Sequence, residues 1–387
     1  MSPLAVQPGP ALSLGADAGQ LEARFQPVFR RIAEGAWQRE RDHRLPHEPI
    51  RWLKEAGFGA LRVPREHGGA GASLPQLFVL LIELAEADAN LVQVLRSHFG
   101  FVEDCLNADP GPRRSAWFER FVRGDLVSDA FCGSDHRDMA DAPPLLTCGD
   151  GGWTLRGRQA HDAACLFADW VVGRVHRADG GADRVAAVCT QRPGVLPADA
   201  GHGFALGTGA RCSVSFKDAA VQPQDVAPVG PRFRYEPAFA QLVHLATLAG
   251  IGRAIERDLS HEVRLEDDPD ADLAPLRAGD ARLRRAIDTI SAWVYAAEAT
   301  ALRAAWPAQR AYEARFLDNA HGQRQANLDA EVESAQGEVA VSALIARVSN
   351  DLRAALRASR RSGHHVLDWH WRHAVVATSR SAALQEH

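Results

Sequence analysis

Apolar positions recur at helical spacing along most of the chain and give way to short apolar runs near its middle. Leu21, Phe25, Val28, Phe29, Ile32 and Ala33 share one helical face, predicting a helix over 21–37 with Pro27 as a candidate kink. Pro49 opens a second helix with Ile50, Trp52, Leu53 and Ala56 inward, and Gly57 is placed to end it. The stretch 61–103 is the organising segment of the chain. Val63-Pro64 closes a short apolar run, His67 to Gly71 form a glycine turn, and Ser73 is the expected N-cap of a helix with Pro75 in its first turn. That helix buries Leu77, Leu80, Leu81, Leu84 and Ala85. Asp88-Ala89-Asn90 breaks the pattern, and a second helix carries Leu91, Val94 and Leu95 and delivers the polar cluster Arg96-Ser97-His98. After Pro110-Gly111-Pro112, Trp117, Phe118 and Phe121 fall on one face of a helix over 114–123.

Near Leu126 the period changes. Strands are predicted at 145–148, 153–158, 170–175, 185–190 and 214–216, with a hairpin turn at 149–152. Residues 228–237 read as a linker. Helical patterning then returns over 239–263, 273–305, 328–356 and a last segment near 363–377, at the lengths of a helix bundle. The expected class is α+β, mainly α. Its parts are a disordered leader (1–19), an N-terminal helical domain (20–127), a central β domain (128–232) and a C-terminal helix bundle (233–387).

Composition narrows the functional classes. At 387 residues, 46% hydrophobic and 24% charged, the chain is an ordinary globular protein of two or three domains. A net charge of −5 carries no footprint for nucleic acid or an anionic membrane, and no run approaches the roughly 18 apolar residues of a membrane span. The only lysines are Lys54 and Lys217; with Ala also abundant, this reads as genome composition. The six cysteines are scattered without a CxxC pair, so free thiols in a reducing, cytoplasmic compartment are expected. The start has no basic segment followed by an apolar core, so it is not read as a signal peptide. His370 and His373 are three apart with Asp368 nearby, but tryptophans interleave and no metal site is expected. Gly203 to Gly209 lacks the strand–GxGxxG–helix context of a dinucleotide fingerprint.

Several phrases, in order, resemble one superfamily. The Val-Pro, His-Gly-Gly-x-Gly turn and acidic-Ala-Asp helix end of 61–90 resemble the N-terminal helical domain of acyl-CoA dehydrogenases. Gly152-Trp153-Thr154-Leu155-Arg156-Gly157 resembles the family's GW-x-L-x-G hairpin, Ala168-Asp169-Trp170 its A-D-W strand, Ser215 to Val221 the close of its β domain, and Ala246 to Gly252 its small-residue bundle helix. Leu95 to Phe99, and Leu367-Asp368-Trp369-His370-Trp371-Arg372, look more like the flavin-dependent monooxygenase branch, of the dibenzothiophene monooxygenase and sulfur-acquisition oxidoreductase type. The resemblance spans roughly residues 20–380.

That resemblance implies a homodimeric or homotetrameric flavoprotein oxidoreductase. Reduced FMN would come from a partner flavin reductase, and oxygen would pass to a small apolar or organosulfur substrate. FAD is the cofactor in the alternative, an acyl-CoA dehydrogenase with a relocated base. A third reading is a non-catalytic paralogue that has lost the flavin site. The implied catalytic residues are His98, as the proton donor that holds a flavin-bound peroxide, and His370 in the C-terminal wall. The implied cofactor-binding positions are Asp129, Ser134, His161, Asp162, Arg277 and Arg372. The departures fall on the cofactor side. The family's S-T-G turn falls on Asp162-Ala163-Ala164, where a carboxylate is unfavourable unless paired, for which Arg158 or His161 is expected. The late Tyr-Glu-Gly loop of dehydrogenases is not found, the G-N-A strand reads Ser128 to Gly133, and T-G-S is loosely kept in Gly207 to Ala210. The histidines that the branch places after HWR fall on Ala377 to Arg380.

Overall fold

The computed structural model of the chain describes residues 18–130, 143–149, 152–199, 212–266, 277–358 and 365–385. Four helices come first: α1 (Ala18–Arg41), α2 (His47–Glu55), α3 (Leu74–Asn107) and α4 (Pro112–Val122). Pro27 is accommodated inside α1, and α2 gives way at Gly57 in the left-handed region (φ 76°). Ser73 caps α3 in a reciprocal capping box with Gln76. The predicted break falls inside α3 as a kink, where Asp88 is extended (φ −163°, ψ 101°) and its carboxylate accepts from the Asn90 amide at 3.1 Å. That local bond restarts the helix beyond the kink, as an N-cap does.

The central unit is an eight-stranded sheet built from β1 (Val127–Asp129), β2 (Leu145–Gly149), β3 (Gly152–His161), β4 (Trp170–Arg177), β5 (Arg184–Cys189), β6 (Val195–Asp199), β7 (Cys212–Val221) and β8 (Val226–Pro228). The order is β6-β7-β3-β2-β4-β5-β8, with β1 pairing parallel to β4. Two strands were not expected, β6 and β8; β1 overlaps the start of the stretch, Ser128 to Gly133, that the resemblance reads as a strand. β1 and β8 have three residues each, too few to show alternation. β6 contains Pro197, which argues against a strand except at a sheet edge, where β6 lies. β3 and β7 are ten residues each, longer than predicted, and are paired over most of their length.

Four long helices close the fold: α5 (Glu236–Glu266), α6 (Arg277–Ala314), α7 (Ala320–Ala358) and α8 (His365–Gln385). The expected linker therefore ends at Glu236, inside the predicted 228–237. α5 is the axis of the bundle. Over Glu236–His261 it is long and apolar enough to cross a membrane, but 78% of its most apolar window is buried inside the fold, as a core helix requires. Its Gly250 faces α3, where an added Cβ would sit 2.3 Å from Ala85 Cβ and 2.6 Å from the Ile82 carbonyl. Only a residue without a side chain lets the two backbones approach this closely. One continuous core of Phe25, Phe58, Leu81, Leu245, Ile290 and Ile345 joins the N-terminal helices to the bundle, while the sheet holds a separate cluster around Leu155, Val188 and Val214.

Candidate functional site

A polar cluster lies where the sheet meets α3 and the start of α5. Three segments build it. β1 carries Ser128 and Asp129, both buried, pointing to opposite sides of the strand. The end of β3 supplies buried His161, and Asp162 caps the short 3-10 turn Ala163–Leu166. The middle of α3 supplies Arg96 and Ser97.

Asp162 is the centre of this group. Its Oδ1 accepts from the Ala164 amide at 3.1 Å and from Ser128 Oγ at 3.3 Å. Ser128 Oγ lies 3.1 Å from His161 Nδ1, so that ring nitrogen is the donor when Ser128 gives its own proton to Asp162. Burial pushes the Asp162 carboxyl up to about 6, against the charge of Arg96 and the hydrogen bonds it accepts. Arg96 lies near enough to favour the ionised form without an ion pair to it; of the two expected partners, Arg158 is exposed on β3 and His161 reaches Asp162 through the Ser128 hydroxyl. Arg96 also faces Glu236 at the start of α5, and its buried Nε donates to no described protein atom.

Asp129, on the other side of β1, is engaged by Arg232. The same guanidinium holds Asp104 of α3 at 2.9 Å and Glu236 at 3.3 Å. Burial still pushes Asp104 up to about 7. Arg232 thereby ties the segment before α5 to both α3 and the sheet, and Asp129, expected at the cofactor, sits in the ion pair that fixes this junction.

The histidines do not take the places expected. His98 is fully buried with both ring nitrogens occupied: Nε2 donates to the Gly59 carbonyl at 2.9 Å, and Nδ1 accepts from the Val127 amide at 3.2 Å. Burial pushes its pKa down to about 4, so the ring is neutral. It pins α3 to the turn after α2 and to β1, and has no nitrogen left for a ligand. Residues 96 and 98 stand about 200° apart around a helix, which is why Arg96 and not His98 faces the cluster. His370 is buried on α8 and bonded to Asp258 of α5 at 2.7 Å; burial pushes its pKa down. His373 bonds Glu40 of α1 at 2.8 Å. The two therefore dock α8 through separate carboxylates. Asp258 is also held by Arg257, whose guanidinium contacts Glu86 on α3, so His370 lies near the kink within α3, about three helical turns from His98.

Arg372 is exposed on α8 and makes no described contact with the cluster. Ser134 lies outside the described residues, as does the side chain of Arg277, the first residue of α6. The residues that sequence reasoning did not select are Arg96, Ser97, Ser128 and Arg232. The signal for the first two was the polar triplet after Leu95, read for its histidine.

A concavity of about 540 Å³ opens away from this cluster, between α2 and the 163–169 turn, lined in part by Ile50, Lys54, Cys165, Phe167 and Thr190. Its cations are paired internally: Lys54 with Asp169 at 2.7 Å, Arg51 with Glu48 and Glu55, and Arg123 with Asp125.

Residues 25–109 match the family model for the acyl-CoA dehydrogenase N-terminal domain. Among characterised proteins, a benzylmalonyl-CoA dehydrogenase of Aromatoleum aromaticum is 28% identical over 155 residues; the match spans 38% of this chain and 40% of that protein. Among solved structures, FMN-bound TdsC of Paenibacillus sp. A11-2, a dibenzothiophene monooxygenase, superposes with a TM-score of 0.71 at 21% identity, covering 93% of each chain. Butyryl-CoA dehydrogenase of Megasphaera elsdenii superposes at 0.68 with 15% identity over 94% of each chain. The fold is therefore the acyl-CoA dehydrogenase fold, and the resemblance read from the sequence holds at the level of architecture.

Proposed function

We propose that a chain with this architecture is a flavin-dependent oxidoreductase, and that the polar cluster of α3, β1 and the turn after β3 lies against the isoalloxazine ring. The observation that carries the reading is the convergence of hydrogen-bonding side chains there: Arg96, Ser128 and His161, with the Arg96 Nε a buried donor that no described protein atom satisfies. A planar ring with donors and acceptors on one edge is a group that such a wall fits. When bound, the flavin would supply two-electron redox chemistry and, in its reduced form, reactivity with oxygen. The chain's contribution is positional. Arg96 and Ser128 would hold the polar edge, the 163–166 turn would back the ring, and the buried core beside α3 would exclude water.

The finer reading is a two-component monooxygenase, homo-oligomeric and cytoplasmic, that receives reduced FMN from a separate reductase and oxidises a small apolar or organosulfur substrate. The likeness to the FMN-bound fold over nearly the whole chain supports it. A FAD-dependent acyl-CoA dehydrogenase is the second reading, favoured by the benzylmalonyl-CoA dehydrogenase match. Anaerobic titration with reduced FMN and FAD, followed by mixing with oxygen, separates them. Tight binding of reduced FMN with an oxygen-dependent absorbance transient is the expected result. Preference for FAD, bleached by an acyl-CoA without oxygen, would establish the dehydrogenase. Failure of both flavins to bind would refute both readings.

A further inference from the structure

The concavity beside α2 has two unlike ends. His47, Ile50, Arg51, Lys54 and Glu55 recur at helical spacing on one face of α2, so its lining runs about 10 Å along the helix axis. At the start of the helix the exposed His47 ring meets Phe167 edge to face, with ring centroids 5.0 Å apart, and buried Ile50 and Cys165 line the wall beside them. At the other end Arg123 joins Lys54. Gly124, the next residue, lies against the Lys54 carbonyl, where an added Cβ would sit 3.4 Å away.

The cations keep donors to spare. Both oxygens of Asp169 take Lys54 Nζ, at 2.8 and 2.7 Å, and one of them also accepts from the Leu126 amide at 2.7 Å. An ammonium carries three N–H groups, so one is left without an acceptor among the described residues. Arg51 and Arg123, each 61% exposed, reach their carboxylates only at 3.7 and 3.8 Å, beyond hydrogen-bond distance. Exposed pairs of this kind contribute little, so a ligand anion can engage either guanidinium without breaking a hydrogen bond. Three cations and two carboxylates line the concavity, in a chain whose net charge is −5. Of the two carboxylates, Asp169 is engaged by Lys54 and Glu55 is exposed.

We propose that this concavity binds a small aromatic acid, with its ring against Phe167 and His47 and its acid group against Lys54 and Arg123. A volume of about 540 Å³ lies within the range of small-ligand sites. The aromatic end offers a ring the edge or offset contact that aromatic pairs favour, and the cationic end offers charge-assisted hydrogen bonds to an anion. A neutral ligand of the same shape leaves those donors unused. The site is independent of the flavin reading above: it shares only the 163–169 turn with the polar cluster.

The test uses the full-length chain and 4-phenylbutyrate as the probe, followed by ligand-observed proton NMR at neutral pH. Wild-type binding is expected with a Kd below about 1 mM, with the ring protons saturated more strongly than the chain protons. The neutral 4-phenylbutyramide and the ring-free octanoate are expected to bind at least about tenfold more weakly. Arg51→Gln combined with Arg123→Gln changes only exposed positions, and is expected to weaken 4-phenylbutyrate at least about tenfold. His47→Ala is expected to weaken it about threefold. Arg156→Gln, an exposed arginine on β3, should leave it unchanged. No binding by the wild type up to about 10 mM overturns the proposal. So does equal affinity for the amide or for octanoate, or an affinity that the double variant leaves unchanged, or one that Arg156→Gln weakens as much as the double variant does. None of these outcomes bears on flavin binding.

Discussion

Glu83→Gln is expected to stabilise the protein at neutral and alkaline pH. Glu83 lies on α3, half-buried, beside Glu86 of the same helix, Glu22 of α1 and Glu298 of α6, with Arg253 of α5 as the nearby cation. Arg253 is already committed to Glu86 at 2.8 Å and to Glu298 at 3.3 Å, and Glu83 Oε2 is buried without a hydrogen-bond partner. Burial first, and Glu22 second, push the carboxyl from its ordinary 4.5 up to about 7. The folded state therefore binds more protons at this position than the unfolded chain between those values. Stability falls as pH rises through that window, and the loss is complete above about 7. At about 1.4 kcal/mol per tenfold change in proton affinity, the displacement corresponds to about 3 kcal/mol. Rearrangement and water entry reduce this, so a gain of about 1–3 kcal/mol for Glu83→Gln at pH 8 is the expected range. Urea denaturation of both proteins at pH 5 and pH 8 measures it. The wild type should lose stability between the two pH values by more than the variant does. Identical pH dependence in the two proteins, or a variant less stable than wild type at pH 8, would refute the reasoning.

Two further predictions concern the scaffold of the site. The His98 ring is expected to remain neutral at pH 5.5, because burial holds its midpoint at about 4. Its contribution to stability is complete above about 6.5 and lost as pH falls towards 4; nitrogen NMR of the imidazole reads this directly, and titration near 6.5 would contradict it. Arg232→Met removes the counter-ion of Asp129 and Asp104 together and should destabilise the fold by about 3–5 kcal/mol in chemical denaturation, where a loss below about 1 kcal/mol would mean that the carboxylates find other partners.

Much of the helical frame was legible because its signals are local. Ser73 and Gln76 are three residues apart, Gly57 directly follows its helix, and the Asp88 carboxylate reaches only to Asn90. The strands were less legible. β6 hid behind Pro197, and β8 exists because a neighbouring strand supplies its partner. Of the candidate site residues, Asp162 was read as a charge needing a partner, with Arg158 or His161 named. His161 is linked to it through Ser128, Arg158 is exposed, and the charge of Arg96, 66 positions earlier, bears on it only when α3 packs on the sheet.

What the sequence alone determined was the order of elements, the places where they start and stop, and the superfamily they resemble. All of these rest on periodicity and on contacts within a few residues. What only the tertiary structure decided was which polar side chains converge. His98 meets Gly59 across 39 residues, Arg232 meets Asp129 across 103, and His373 meets Glu40 across 333. Each pairing depends on how one helix is rotated about its axis against another surface. Adjacent residues on a helix point about 100° apart, so packing turned Arg96 towards Asp162 and Glu236 and the imidazole of His98 into the backbone of its neighbours.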